Sequence, residues 1–167
     1  MEKPLDPQTR LSAHFRVGEF TRSQTAVRLG RRVEVFPQDI VHRNLVRLCS
    51  TVLEPLRDEL GQPITITSGY RPDWLNRLIH GSPGSLHMSG RAADFVVSGY
   101  TPAEICIRLA DLLLPIDQLI LEFGEWVHVA VPAEGVEPAR RVMTAYHQAG
   151  RTHYASGLRP DLFEGTP

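Results

Sequence analysis

The sequence predicts an α+β domain built on a mainly antiparallel sheet, with helices packed along one side. Apolar residues recur every three or four positions from Gln38 to Leu60, the spacing of one helix face. Short β-rich runs bounded by glycine or proline recur at 63–68, 91–97, 118–123 and 126–131. The order helix, strand, helix, strand, helix and then strands groups the strands instead of alternating them strictly with helices, which favours antiparallel pairing. At 167 residues one hydrophobic core is enough.

Residues 1–11, with Pro4 and Pro7, are expected to form a flexible arm, 12–155 the single folded domain, and 156–167 a loose tail. The long helix carries Ile40, Val41, Leu45, Leu48, Val52, Leu53, Leu56 and Leu60 on one face, with Pro55 expected to kink or split it and Gly61 to stop it. Ile64 and Ile66 alternate in the first strand. Pro72 opens a short helix to about Ile79, and 80–85, HGSPGS, is a loop. Arg91 to Val97 is the second strand. Thr101-Pro102-Ala103-Glu104 starts a helix that runs to about Leu114, before Pro115. Gln118–Phe123 and Trp126–Val131 form a short hairpin around Gly124 and Glu125. Arg140–Gln148 is ambiguous in period and is read as a strand.

The composition excludes several classes. Hydrophobic residues at 42% and charged residues at 22% are those of a folded globular domain, not of a disordered chain. A net charge of -1 gives no general attraction to nucleic acid, and Arg28, Arg31 and Arg32 are read as a solvated face. No stretch approaches the length of a membrane span, and the N-terminus has no apolar signal core. Cys49 and Cys106 lie in apolar helical surroundings and read as buried free thiols, in keeping with folding in a reducing cytoplasm. A monomer is expected.

The chemistry lies in the middle of the chain. His87 follows the glycine-rich loop, Asp94 is on the next strand and His128 on a late one. Two imidazoles and a carboxylate are a catalytic-type zinc set, because structural zinc usually takes four Cys or His ligands whereas three leave a position open. Such a site activates water and needs a nearby carboxylate to carry the proton to the leaving amine. Glu125, three residues before His128, is the candidate, although an odd spacing on a strand points it to the opposite face unless it sits in the turn. Arg71 offers a planar fork for a substrate carboxylate. Taken singly, each of these residues is more simply a packed or surface group; their combination carries the reading.

These residues resemble the signatures of peptidase family M15, the zinc D-Ala-D-Ala carboxypeptidases and L-Ala-D-Glu endopeptidases. Residues 85–94, SLHMSGRAAD, resemble S-x-H-x-x-G-x-A-x-D, which supplies two metal ligands; 125–128, EWVH, resemble E-x-x-H, which supplies the catalytic carboxylate and the third. Residues 68–71, SGYR, resemble the stretch that sets an arginine beside the substrate, and Asn76 stands where the family often has an asparagine. His14-Phe15 with Glu19-Phe20, and 117–120, DQLI, with Glu122, resemble a branch common in phage and prophage genomes. The likeness spans about residues 13–131.

It implies a Hedgehog/D-Ala-D-Ala peptidase-like fold and one Zn2+ ion on His87, Asp94 and His128. Glu125 is expected as general base and acid, with Arg71, Ser85, Tyr70 and Asn76 toward the substrate, a peptidoglycan stem peptide. Gly90 is expected to let the backbone pass close to the metal loop, and Trp126 reads equally as site wall or core. Glu122 is expected to support the sheet or the ligands and not to take part in the chemistry. Carboxypeptidase and endopeptidase action remain open, as do a phage lysis enzyme and a virion-associated wall cutter, made in the cytoplasm and acting on the wall after release. The alternative from another class is a non-catalytic metal-binding structural or assembly protein that retains the fold.

Overall fold

The computed structural model describes residues 2–163. Strands β1 (Ile64–Ser68), β2 (Ala92–Val97), β3 (Gln118–Glu122), β4 (Trp126–Ala130), β5 (Arg141–Gln148) and β6 (Arg151–Ser156) form one sheet in the order β1-β2-β4-β3-β5-β6. Every neighbouring pair is antiparallel except β3 with β5. Strand alternation gives the sheet two unlike faces. Ala93, Phe95 and Val97 of β2, Leu119 and Leu121 of β3, and Val127 and Val129 of β4 point into the core. Their neighbours Asp94, Glu122 and His128 belong to the other face.

The core face is covered by the expected long helix, which consists of α3 (Ile40–Leu48), a π-helical turn at Cys49–Leu53 and α4 (Glu54–Leu60), and by α6 (Pro102–Asp111). Two short helices, α1 (Val17–Thr21) and α2 (Gln24–Arg28), precede them, and α5 (Asp73–Leu78) leads into the loop before β2. Pro55 interrupts the regular α-helix through this π-helical turn, while the helical run continues into α4. Its ring crowds the carbonyl four residues back and it has no N–H to donate, so the preceding turn widens, with the Glu54 N–H donating to the Cys49 carbonyl. Leu45, Leu48, Val52, Leu53 and Leu56 are wholly buried along the resulting stripe. Both cysteines are free and buried, and burial pushes the Cys106 thiol up to about 12.

Helix α6 starts as the sequence predicts, with a reciprocal cap: the Thr101 hydroxyl accepts from the Glu104 N–H, and the Glu104 carboxylate accepts from the Thr101 N–H at 2.7 Å. It stops at Asp111, short of Leu114. The chain turns to extended backbone at Leu112, where the Arg140 guanidinium donates to the carbonyls of Leu112 and Leu114.

Both terminal segments differ from expectation. The arm is anchored: the Leu5 N–H donates to Val35 O at 2.8 Å, the Gly18 N–H to Pro7 O at 2.8 Å, and Leu11 is buried in the core. At the other end Thr144, on the core face of β5, donates its hydroxyl to Gly157 O at 2.9 Å and accepts from the Arg159 N–H, while Leu158 and Phe163 pack on the core. Local proline and polarity suggested loose ends, but the partners lie far away in sequence. The last four residues of the expected tail lie outside the described residues. Among those described, no helix is long and apolar enough to cross a membrane.

The segment that follows the arm docks on α4 through Glu54, whose carboxylate accepts from the Ser12 hydroxyl at 2.6 Å and the His14 N–H at 2.8 Å and pairs with the His14 ring at 2.7 Å. Burial pushes this carboxyl up, but these hydrogen bonds outweigh it and hold the group below its ordinary value of 4.5. A carboxyl lowered on folding stabilises the fold above its unfolded pKa, and that contribution is lost as pH falls through the lowered folded value. Urea midpoints of the wild type are therefore expected to fall below about pH 4.5, with a shallower fall in Glu54→Gln. Equal slopes for the two proteins would break this link.

Candidate active site

The register of the sheet assembles the site. Asp94 on β2 lies directly opposite His128 on β4, and His128 opposite Ile120 on β3. His87 comes from a 3-10 turn, Leu86–Ser89, laid over β2. The turn ends at Gly90, whose φ of +70° suits a residue without a side chain; a Cβ there would lie 2.9 Å from the Val41 carbonyl of α3. Gly90 thus allows close approach to a helix, whereas the sequence reading placed that approach beside the metal loop.

Three side-chain atoms converge. His87 Nε2 lies 3.2 Å from Asp94 Oδ1 and 3.2 Å from His128 Nδ1, and His128 Nδ1 lies 2.8 Å from Asp94 Oδ1. All three residues are buried, with exposures of 2%, 8% and 6% for His87, Asp94 and His128. The other nitrogen of His87, Nδ1, lies 2.7 Å from the Gly69 carbonyl. A carbonyl only accepts, so Nδ1 carries the proton and the neutral ring presents an Nε2 lone pair to the cluster. Gly69 is brought there by contact with α1: its N-terminal neighbour strand ends against Phe20, whose Cα would lie 2.5 Å from any Cβ at Gly69.

Burial favours the neutral form of His87 and lowers its pKa, with the carboxylate of Asp94 opposing. Burial also pushes Asp94 up, but the two imidazoles outweigh it and hold the carboxyl well below the usual range. The cluster therefore joins the neutral ring of His87 and the carboxylate of Asp94 to the second imidazole, His128. Such a donor set fits a borderline divalent cation, and the hydrogen bond to Gly69 fixes the orientation a nitrogen ligand needs.

The cluster opens into a cavity of about 560 Å³ that crosses the sheet from the loop before β2 to β6. Arg71 and Ser85 line one end, with Arg71 Nη2 donating to Ser85 Oγ at 3.3 Å. Trp126 lines it as well, so it is a wall of the site and not core. Its indole Nε1 donates to Glu122 Oε2 at 2.9 Å.

The expected residues are not all brought together. Glu125 is the last residue of the turn between β3 and β4; it is exposed and is not among the residues that line the cavity. Glu122 lines the cavity instead. It pairs across the hairpin with Trp126, two residues along β3 from Ile120, and so shares the face of His128. Burial raises its carboxyl, helped by the charge of Asp94 and opposed by His128, the Trp126 bond and Arg71. The signal was present as even spacing: Gln118, Ile120 and Glu122 share one face of β3. Only the three-residue turn, which pairs Glu122 with Trp126, sets that face beside His128.

Asn76 and Tyr70 also lie elsewhere. Asn76 is buried, its amide donating to Ser82 O at 2.9 Å, so it secures the loop and does not line the cleft. Tyr70 is half-buried in a separate cavity of about 280 Å³ that meets the cleft only at Arg71. Met143 and Tyr154, from the β5–β6 hairpin, line the cleft although no sequence feature pointed to them.

No curated protein matches the chain in sequence. The family model Peptidase M15 matches residues 13–130, a stretch that ends with the last residue of β4 and contains the whole His-Asp-His cluster, and by that match the chain belongs to this peptidase family.

Proposed function

We propose that the chain is a zinc peptidase that hydrolyses a peptide bond in peptidoglycan stem peptides. The observation that carries this reading is the buried convergence of His87 Nε2, His128 Nδ1 and Asp94 Oδ1 at the floor of a cleft, with His87 held by Gly69 so that a lone pair faces inward. A zinc ion bound there supplies Lewis acidity, polarising the scissile carbonyl and acidifying water.

The chain's own groups do the rest. Glu122 is the proton carrier: Trp126 holds its Oε2, which leaves Oε1 to take a proton from the attacking water and return it to the leaving amine. A carboxyl raised by burial suits this double role better than a solvated one. Arg71, steadied by Ser85, receives a carboxylate of the substrate at the end of the cleft nearest β2. This assignment moves the catalytic carboxylate from Glu125 to Glu122.

The test is incubation of purified peptidoglycan with zinc-loaded and with chelator-treated protein, the released fragments being identified by mass spectrometry. Free D-alanine marks a carboxypeptidase, and new ends between L-Ala and D-Glu mark an endopeptidase. Intact stem peptides after treatment with the zinc-loaded protein would instead support the metal-binding structural or assembly reading.

A further inference from the structure

The matched family region ends at residue 130, yet the cleft does not. Its far wall is built by the β5–β6 hairpin, which the parallel pairing of β3 with β5 adds to the edge of the sheet. Two rows of side chains cross the strands on the site face. One runs Asp94, His128, Ile120, Met143 and Ser156; the next runs Trp126, Glu122, Ala145 and Tyr154. Between Glu122 and Tyr154 stands only Ala145, wholly buried and too short to separate them, so the Tyr154 ring lines the same cavity as Glu122 from two strands away.

Tyr154 is 59% exposed, so most of its ring is free to meet a ligand in the cleft. Beyond it the groove continues: a second cavity of about 500 Å³ shares Met143 and Tyr154 with the first and runs on past Arg141 to Ser156. The two ends of this groove are chemically different. The Arg71 end holds a guanidinium suited to a carboxylate, while at the hairpin end Arg141 is paired with Asp117 and Arg140 donates to backbone carbonyls, and Met143 and Tyr154 add a thioether and a phenol.

We infer that the β5–β6 hairpin is the subsite for the acyl half of the substrate, with Tyr154 packing on the peptide just before the scissile bond and Met143 flooring it. The inference rests on the peptidase reading above. With a carboxylate of the leaving fragment at Arg71 and the bond over the cluster, the acyl half has one direction left, across β3 toward β6. The ligand class is thus a peptide that extends at least two residues on the acyl side, its backbone and small side chains lying flat against the ring. Burial, and after it the charge of Glu122, raises the Tyr154 phenol, in keeping with the two side chains sharing one cavity.

The experiment compares two peptides that share one scissile bond and one leaving fragment, with one or with three residues on the acyl side. Zinc-loaded wild type is expected to favour the longer peptide by about tenfold in kcat/KM, the worth of one aromatic contact with its buried area. Tyr154→Ala should bring that ratio close to one, while Tyr154→Phe keeps it, because the ring and not the hydroxyl makes the contact. Tyr146→Ala is the control, since Tyr146 pairs with His153 on the opposite face of the hairpin. Tyr154 is exposed on an edge strand, so its replacement leaves the core intact, which circular dichroism will verify.

Calorimetric binding of the same peptides to each protein gives a readout independent of turnover. A length preference in binding that is lost in Tyr154→Ala sustains the subsite even if no peptide is cut, in which case only the peptidase reading falls. Cleavage with the same length preference in wild type and Tyr154→Ala, or with none in wild type, overturns the subsite and leaves the peptidase reading standing.

Discussion

Glu122→Gln is expected to lower kcat on a cleavable stem peptide by about 10³-fold, the usual worth of a positioned proton carrier, while Glu125→Gln leaves turnover essentially unchanged. Both substitutions keep the size of the side chain and remove its ability to carry a proton. They differ in where the group stands. Glu122 lines the cleft on the face of His128 and is held at one oxygen by Trp126, whereas Glu125 is exposed in the turn. An amide at 122 can still accept the indole hydrogen bond through its oxygen, so the site keeps its shape and zinc content should stay at wild-type level. The measurement is kcat with bound zinc determined on the same samples. A collapse of turnover in Glu125→Gln with normal turnover in Glu122→Gln would return the role to the E-x-x-H position.

Removing the metal is the second large effect. A ligand that binds only the folded state at a thousand times its dissociation constant stabilises it by about 4 kcal/mol, which for a domain of this size corresponds to roughly 10 °C in melting temperature. Chelation of zinc-loaded wild type is expected to lower the melting temperature by that order and to abolish cleavage together. Asp94→Asn should melt at the same temperature with or without zinc, because it removes the sole carboxylate among the three convergent residues and leaves two imidazoles. The amide is nearly the same shape, so the fold survives for the comparison. A zinc-induced shift in Asp94→Asn as large as in wild type would remove Asp94 from the ligand set.

The three clustered residues were legible because each stands in a short, ordered motif whose chemistry is specific: His87 and Asp94 seven positions apart, His128 on the next hairpin. Strand alternation was enough to place Asp94 and His128 on sheet faces, and the α+β class followed from the same periodicities. The E-x-x-H pattern singles out Glu125, which is exposed in the turn, whereas Glu122, whose even spacing from Ile120 carries no motif, lines the cavity. Asn76 has the residue type of a substrate contact, yet it is buried outside the cleft with its amide nitrogen donating to Ser82 O. Strand β6 carried almost no sequence signal. Its residues RTHYAS are mostly exposed and polar, as an edge strand tolerates, and only the Ala149-Gly150 turn, with both φ positive, marks the hairpin.

The sequence by itself determined the fold class, the identity of the three convergent residues and the membership that their motifs imply, because periodicity and motif spacing are local properties of the chain. The tertiary structure alone decided which carboxylate faces the cluster, how the terminal arm is held and what forms the far wall of the cleft. Those depend on register: the turn that sets Glu122 opposite Trp126, and the parallel pairing that brings Met143 beside Ile120, join residues whose contact no local pattern encodes.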